Sequence, residues 1–311
     1  MDPVEALMVD SPERGHTDAL LILQHGEVLS EHYAPDVDSS TPLRSWSMAK
    51  SMVHAAVGLL VQEGRIQPDA PAAVPEWAAE GDPRSAITLT DLLQMRPGLA
   101  WNEDYVDGDG SDVIEMLFAR DWEPVVDTGG FAASKALVHE PGSTLNYSSG
   151  TTNIVARLIR DLVGPDEQFR AWLQENLFGP LGMDSADPAF DESGTWIGSS
   201  YCHCTARDFA RFGELYLNDG RVGRRQLLDP AWIATASRGT GIDEEGRVHT
   251  SHWWLFGDNP WGAFQCSGYE GQYIVVVPPL DAVVVRLGKS EAGLRENVTA
   301  QLKALIDGLP S

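Results

Sequence analysis

Residues 44–66, RSWSMAKSMVHAAVGLLVQEGRI, form the stretch that decides the fold. The segment is apolar almost all round and ends at Gly64, which predicts a helix buried on every side. Ser47 and Lys50 stand at its start, and positions i and i+3 share one helical face. We therefore expect a serine hydroxyl and a lysine amine within hydrogen-bonding distance at the first turn of a core helix.

Lys50 is the only one of the four lysines that has a serine three places before it. An ammonium group in an apolar helix is costly, so this setting favours the neutral amine, which can accept a serine proton. The helix N-terminus also favours negative charge that develops on the serine oxygen. A lone S-x-x-K remains a weak signal, and the alternative is a capping Ser47 with a lysine that extends to the surface.

A second candidate segment is Asn146-Tyr147-Ser148-Ser149-Gly150, which precedes a helical pattern. A tyrosine held in this turn beside an ammonium group can relay protons to a departing alcohol or amine. Taken alone, the segment is equally typical of a packed tyrosine whose hydroxyl is satisfied.

The third candidate segment is Cys266-Ser267-Gly268-Tyr269, at the boundary between two predicted strands. Gly268 would allow the strand edge to approach a substrate closely, and a backbone N–H there would face an oxyanion. Without the other two segments, this is only a turn that contains glycine.

The order of elements predicts an α+β fold with an antiparallel β-sheet flanked by helices. Residues 18–34 form a hairpin around His25-Gly26, and four late segments from residue 251 to residue 288 are rich in valine and aromatics, as strands are. The intervening patterns are mostly helical. We assign residues 1–62 and 205–311 to one α/β lobe and residues 63–204 to a mostly α-helical lobe, with the active site in the cleft between them.

The composition limits the partners of the chain. Lys and Arg total 22 against 46 Asp and Glu, a net charge of −24 over 311 residues. This charge repels nucleic acid and anionic membranes, so we expect neither as a partner and a small molecule as substrate. The N-terminus lacks the pattern of a signal peptide, and three cysteines do not make a disulfide framework, which together predict a cytoplasmic protein.

Two further groups of residues have a structural explanation that is favoured over a functional one. Cys202-His203-Cys204 offers too few ligands for a tetrahedral metal site, so no metal is expected there. No metal or organic cofactor is expected for the chemistry either, because a serine–lysine pair needs only side chains and water. His54 follows Lys50 by four residues and is expected to be a satisfied core residue. No serine lies in a G-x-S-x-G elbow, which argues against an α/β-hydrolase triad.

Taken together, the three segments resemble the serine β-lactamase and penicillin-binding-protein superfamily, whose motifs are S-x-x-K, Y-x-S/N and x-S/T-G. The similarity is greatest to its class C-like branch, with family VIII carboxylesterases and 6-aminohexanoate-dimer hydrolases. The stretches LLQMRPGLAWNEDY, TARDFARFGELYLNDG and GYEGQYIVVVP extend the resemblance over residues 20–308. The resemblance implies the β-lactamase-like fold and hydrolysis of a small ester or amide.

The same resemblance implies roles for individual residues. Ser47 would be the acylated nucleophile, Lys50 its general base, and Tyr147 the proton relay to the leaving group. The backbone N–H groups of Ser47 and Tyr269 would form the oxyanion hole. The substrate-binding residues would be Tyr105, Ser149, Cys266, Ser267 and Gly268. Five tryptophans flank the motifs and are either cleft walls or core residues: Trp46, Trp101, Trp253, Trp254 and Trp261.

Two positions depart from the antibiotic-recognising members of the superfamily. Ser149 stands where those usually have asparagine, and Cys266 replaces the basic residue that begins the third motif. The missing cation removes a favourable contact for a substrate carboxylate. We therefore favour an esterase or amidase, with β-lactamase or DD-peptidase activity as one alternative and a catalytically silent binding protein on the same fold as another.

Overall fold

A computed structural model of the chain describes residues 3–105, 110–122, 124–257 and 260–310. The predicted lobes also include residues 1–2, 106–109, 123, 258–259 and 311, which lie outside the described part. The helices are α1 (Pro3–Met8), α2 (Ala49–Gln62), α3 (Leu89–Leu93), α4 (Asp112–Trp122), α5 (Thr128–Ala133), α6 (Ser149–Val163), α7 (Glu167–Leu173), α8 (Gly179–Leu181), α9 (Ala206–Leu217), α10 (Pro230–Ile233) and α11 (Arg295–Asp307). The strands are β1 (His16–Gln24), β2 (Glu27–Tyr33), β3 (Asp187–Pro188), β4 (Cys202–His203), β5 (Arg221–Val222), β6 (Arg225–Gln226), β7 (Gly241–Ile242), β8 (Val248–His249), β9 (Trp254–Leu255), β10 (Phe264–Gly268), β11 (Gln272–Val277) and β12 (Ala282–Lys289).

Eight of these strands make one antiparallel sheet in the order β2-β1-β12-β11-β10-β9-β8-β7. The N-terminal hairpin therefore lies beside the last strand of the chain, and the antiparallel sheet predicted from the sequence is confirmed. The hairpin turn is made by His25 and Gly26, whose φ values are +53° and +74°. Two consecutive residues with positive φ match the right-handed twist of the strands they join.

Alternate residues of the central strands face two different hydrophobic clusters. Leu21 and Val285 face the larger cluster, which α2, α6 and α9 complete. Leu20 and Val284 face the smaller one, which α1 and α11 cover. Because helices cover both faces, the central strands are apolar on both faces.

Helix α2 lies within the larger cluster, and its residues from Ala49 to Leu60 are buried. Gly58 is required in this helix because a Cβ atom there would lie 2.4 Å from the indole of Trp232. Among the described residues, none of the helices has the length and apolar composition to cross a membrane.

Candidate active site

Ser47 lies in a single 3₁₀ turn, Trp46–Met48, that leads directly into α2. Trp46 has a φ of +44°, in the left-handed region that side chains other than glycine rarely adopt. Such strain persists only where the surrounding structure imposes it, and it is frequent at functional sites. The turn leaves Ser47 partly exposed, while Trp46 and Met48 are buried.

Lys50 is only 2% exposed and its amine has three oxygen partners. The distances from Nζ are 3.0 Å to Ser47 Oγ, 3.0 Å to Ser149 Oγ and 2.9 Å to the carbonyl oxygen of Ser199. The structure thus brings the serine and the lysine of the first motif together and excludes the alternative in which the lysine extends to the surface. The three partners satisfy all three donors of an ammonium group.

Tyr147 precedes α6, whose first turn is capped by the Ser148 side chain accepting from the N–H of Thr151. The Lys50 Nζ lies 4.9 Å from the centroid of the Tyr147 ring, so the face of the ring meets the amine. This contact holds the amine against the face of the aromatic ring. The sequence predicted both residues at one site, and the structure places them in direct contact.

Glu103 belongs to this site and was not predicted from the sequence. Its Oε1 accepts from Ser149 Oγ at 2.5 Å, and its Oε2 accepts from the Ser149 N–H at 2.8 Å and from Trp101 Nε1 at 2.5 Å. Burial raises the pKa of Glu103 above its ordinary value, against the opposing effects of Lys50 and of these hydrogen bonds. The only signal in the sequence was an acidic residue two places before Tyr105.

The third motif reaches the nucleophile because its glycine permits close approach. A Cβ atom on Gly268 would lie 2.5 Å from the carbonyl oxygen of Ser45. The following residue, Tyr269, packs edge-on against Trp46 at 5.6 Å and stacks on Tyr105 at 5.0 Å between ring centroids. The structure therefore brings together the residues of the predicted oxyanion hole and the predicted substrate-contacting tyrosine.

A narrow crevice lies beside Ser47. Its lining residues are Ser47, Lys50, Ser51, Tyr147, His249, His252, Trp254 and Ser267. Three of these, Ser51, His249 and His252, were not predicted as site residues. Both histidines are neutral, because burial lowers the pKa of His252 to about 3 and the pKa of His249 well below its ordinary value.

The tautomer of His252 follows from its partners. Nδ1 lies 2.7 Å from the carbonyl oxygen of Leu93, which can only accept, so Nδ1 carries the hydrogen. Nε2 then accepts from the hydroxyl of Thr152 at 3.0 Å. Two hydrogen bonds therefore hold the neutral His252 ring in one orientation where it lines the crevice.

Several candidate residues lie away from the crevice. Cys266 is 1% exposed and belongs to the larger hydrophobic cluster, so its side chain points into the core. His54 is fully buried between the hydroxyls of Tyr216 and Thr235, at 2.8 and 2.9 Å, as expected of a satisfied core histidine. Of the tryptophans, Trp254 lines the crevice, Trp46 and Trp101 contact residues of the site, and Trp253 and Trp261 pack in the core.

Cys202 and Cys204 are buried and free, with their sulfur atoms 3.7 Å apart. They belong to the larger hydrophobic cluster, in keeping with the structural explanation of this segment. Within the described part of the chain, no group of three or more His, Cys, Asp or Glu side chains is arranged to hold a metal ion.

Comparison with known proteins gives the family. The profile of the β-lactamase family matches residues 4–307. A 6-aminohexanoate-dimer hydrolase from Paenarthrobacter ureafaciens is 30% identical over 292 residues, which cover 87% of this chain and 72% of that protein.

Solved structures have the same fold. A Bacillus anthracis protein provisionally named a 6-aminohexanoate-dimer hydrolase has a TM-score of 0.78 and 22% identity, covering 95% of this chain and 81% of its own. A family VIII carboxylesterase has a TM-score of 0.69 and 16% identity, covering 94% and 98%. With the serine–lysine pair in place, the chain belongs to the β-lactamase family and is a serine hydrolase of that family.

Proposed function

We propose that the protein hydrolyses a small ester or amide in two steps through an acyl-enzyme on Ser47. The observation that carries this proposal is the 3.0 Å hydrogen bond between Ser47 Oγ and the amine of Lys50, a lysine that is almost fully buried. A nucleophile within hydrogen-bonding distance of a base is the arrangement that covalent catalysis by serine requires.

In the acylation step, neutral Lys50 takes the Ser47 proton while Oγ attacks the substrate carbonyl. The backbone N–H groups of Ser47 and Tyr269 hold the oxyanion, and each donor is worth roughly 10²–10³ in rate. Tyr147, whose ring contacts Lys50, passes its phenol proton to the leaving group and then recovers a proton from the Lys50 ammonium group. Water then attacks the acyl-enzyme and regenerates Ser47.

The substrate is proposed to be a small neutral ester or a linear amide. The relative from Paenarthrobacter ureafaciens is named for cleavage of a 6-aminohexanoate dimer, which supports an amide of this kind. Apart from Lys50, the side chains that line the crevice are uncharged, and they include His249, His252 and Trp254. Cys266 replaces the basic residue that would contact a β-lactam carboxylate in the antibiotic-recognising members, which disfavours a β-lactam as the substrate.

We also propose that the protein belongs to the class C-like branch and acts in the cytoplasm, where its three free cysteines stay reduced. Its ligand would then be a small molecule rather than a nucleic acid or a membrane.

The test is hydrolysis of p-nitrophenyl butyrate, a 6-aminohexanoate dimer and a chromogenic cephalosporin by the wild type and by Ser47→Ala. We expect turnover of the ester or the amide by the wild type and none by the variant. If only the cephalosporin were hydrolysed, the substrate class would be β-lactams and not the proposed esters or amides. Equal activity of both proteins would exclude Ser47 as the nucleophile.

A further inference from the structure

Glu103 is linked to Lys50 through a single hydroxyl group, that of Ser149. We propose that Glu103 is a positioning residue that fixes the direction of the Ser149 hydroxyl, so that the free electron pair of Lys50 faces Ser47. This inference rests on the proposed role of Lys50 as the base and adds the residue that orients the electron pair of its amine.

The direction of each hydrogen bond follows from what each atom can donate. The Ser149 hydroxyl has one hydrogen, and Glu103 Oε1 receives it at 2.5 Å. Ser149 Oγ must therefore accept, and not donate, in its 3.0 Å contact with Lys50 Nζ. The carbonyl oxygen of Ser199, at 2.9 Å from the same Nζ, can only accept as well.

A neutral amine has two hydrogens and one electron pair. If Ser149 and Ser199 take the two hydrogens of Lys50, the electron pair is left for the third partner, Ser47 Oγ at 3.0 Å. The Ser47 hydroxyl then donates to Lys50, which is the direction that proton transfer needs. When Lys50 has taken that proton, its new positive charge lies one hydroxyl away from the Glu103 carboxylate.

The Glu103 carboxylate is itself held in place from the opposite side. Its Oε2 accepts from the backbone N–H of Ser149 at 2.8 Å and from the indole of Trp101 at 2.5 Å. Because Ser149 begins helix α6, the carboxylate also lies at a helix N-terminus, which favours its negative charge.

These two donors make Glu103→Gln an informative substitution. The amide oxygen must occupy the Oε2 position, because two N–H groups point there and an amide NH₂ would meet them donor to donor. The NH₂ group then faces Ser149 Oγ, and the Ser149 hydroxyl has to turn its hydrogen towards Lys50. The electron pair of Lys50 is consumed by Ser149 and is no longer free for Ser47.

The experiment measures the covalent labelling of Ser47 by a fluorophosphonate, which requires no knowledge of the natural substrate. The maximal labelling rate and the non-covalent inhibition constant are determined for the wild type, Glu103→Gln, Ser149→Ala and the double variant. Asp104→Asn is the matched control, since it removes the same charge from the neighbouring exposed residue. Glu103→Met, which brings no new donor, repeats the test if Glu103→Gln does not fold.

We expect Glu103→Gln to lower the maximal labelling rate by about tenfold or more, as general-base contributions are typically larger than this. The inhibition constant and the Asp104→Asn variant should stay close to the wild type. In the Ser149→Ala background, the Glu103 substitution should have almost no further effect, because the hydroxyl through which it acts is gone.

The inference is overturned if Glu103→Gln is labelled as fast as the wild type, or if its effect is equally large with and without the Ser149 hydroxyl. A wild-type protein that is not labelled at Ser47 at all would instead contradict the proposed function, and the inference with it.

Discussion

The indole Nε1 of Trp46 donates to the carboxylate Oε2 of Glu270 at 3.1 Å. Trp46 precedes Ser47 and Glu270 follows Tyr269, so one hydrogen bond joins the two turns that carry the proposed oxyanion donors. Both residues have positive φ values, +44° for Trp46 and +60° for Glu270. Two strained turns are thus held at a fixed separation, which would set the geometry of the proposed oxyanion hole.

The link between Trp46 and Glu270 predicts a specific effect on acylation. Glu270→Met removes the acceptor at similar length, while Glu270→Gln keeps an acceptor oxygen and removes only the charge. A hydrogen bond of this kind is worth about 1 kcal/mol, so Glu270→Met should lower the acylation rate about fivefold. Pre-steady-state release of p-nitrophenol measures this step. Equal losses in the two variants would show that charge, and not the hydrogen bond, matters.

Substitution of Tyr147 by phenylalanine should lower the activity towards substrates with poor leaving groups more than towards substrates with good ones. The ring that contacts Lys50 is retained, so the fold and the cation–π contact are kept while the hydroxyl is lost. Poor leaving groups need a proton and should lose about 10²-fold in kcat/KM, whereas activated esters should lose much less. The measurement is kcat/KM over a series of esters and anilides. A uniform loss across the series would exclude Tyr147 as the proton relay.

Buried neutral histidines should make the protein sensitive to acid. Burial lowers the pKa of His252 from 6.5 to about 3, and the pKa of His54 and of His249 is also lowered well below its ordinary value. Because the folded pKa is depressed, the stabilisation is complete above pH 6.5 and is lost as the pH falls towards 3. His252 alone should lower the free energy of unfolding by about 2 kcal/mol between pH 7 and pH 5.

Urea unfolding at several pH values measures this loss. The variant His139→Asn is the control, because the His139 side chain is exposed at the surface. A free energy of unfolding that stays constant from pH 7 to pH 5 would contradict the neutral state of the buried histidines.

Arg286 is a buried cation whose removal should destabilise the fold. It is 1% exposed, and its described hydrogen bonds all go to neutral oxygens, among them the carbonyls of Glu270 and Gly271 at 3.2 and 2.8 Å. Burial lowers its pKa to about 10. Arg286→Met removes all of these hydrogen bonds from a buried position and should cost about 3 kcal/mol of unfolding free energy. The exposed Arg224→Met is the control, and an equal stability of both variants would contradict this role.

The sequence was sufficient to predict those parts of the fold and site that depend on local pattern. The hairpin of residues 18–34, the buried helix after Ser47 and the late strands each have a clear periodicity or turn signal, and the structure confirms them. The short strands β7 and β8 were not predicted, because two residues are too few for a pattern of alternation. His249 reaches the crevice from one of them, so its position could not be foreseen either.

Glu103 shows why part of the site could not be predicted. Its proximity to Lys50 depends on the long-range packing of the loop after α3 against the start of α6, to which no local pattern refers. Cys266 shows that a position within a motif does not determine which way the side chain points. Its place in a motif suggested a substrate contact, but the pleat of β10 directs its side chain into the core and leaves Ser267 on the crevice.

The most direct test of the account is to trap the acyl-enzyme. The protein is mixed with p-nitrophenyl butyrate, quenched with acid within the burst phase, digested and mapped by mass spectrometry. We expect one butyryl group on the peptide that contains Ser47, and no acylated peptide from Ser47→Ala. A butyryl group on another residue, or full turnover by Ser47→Ala, would contradict the assignment of Ser47 as the nucleophile.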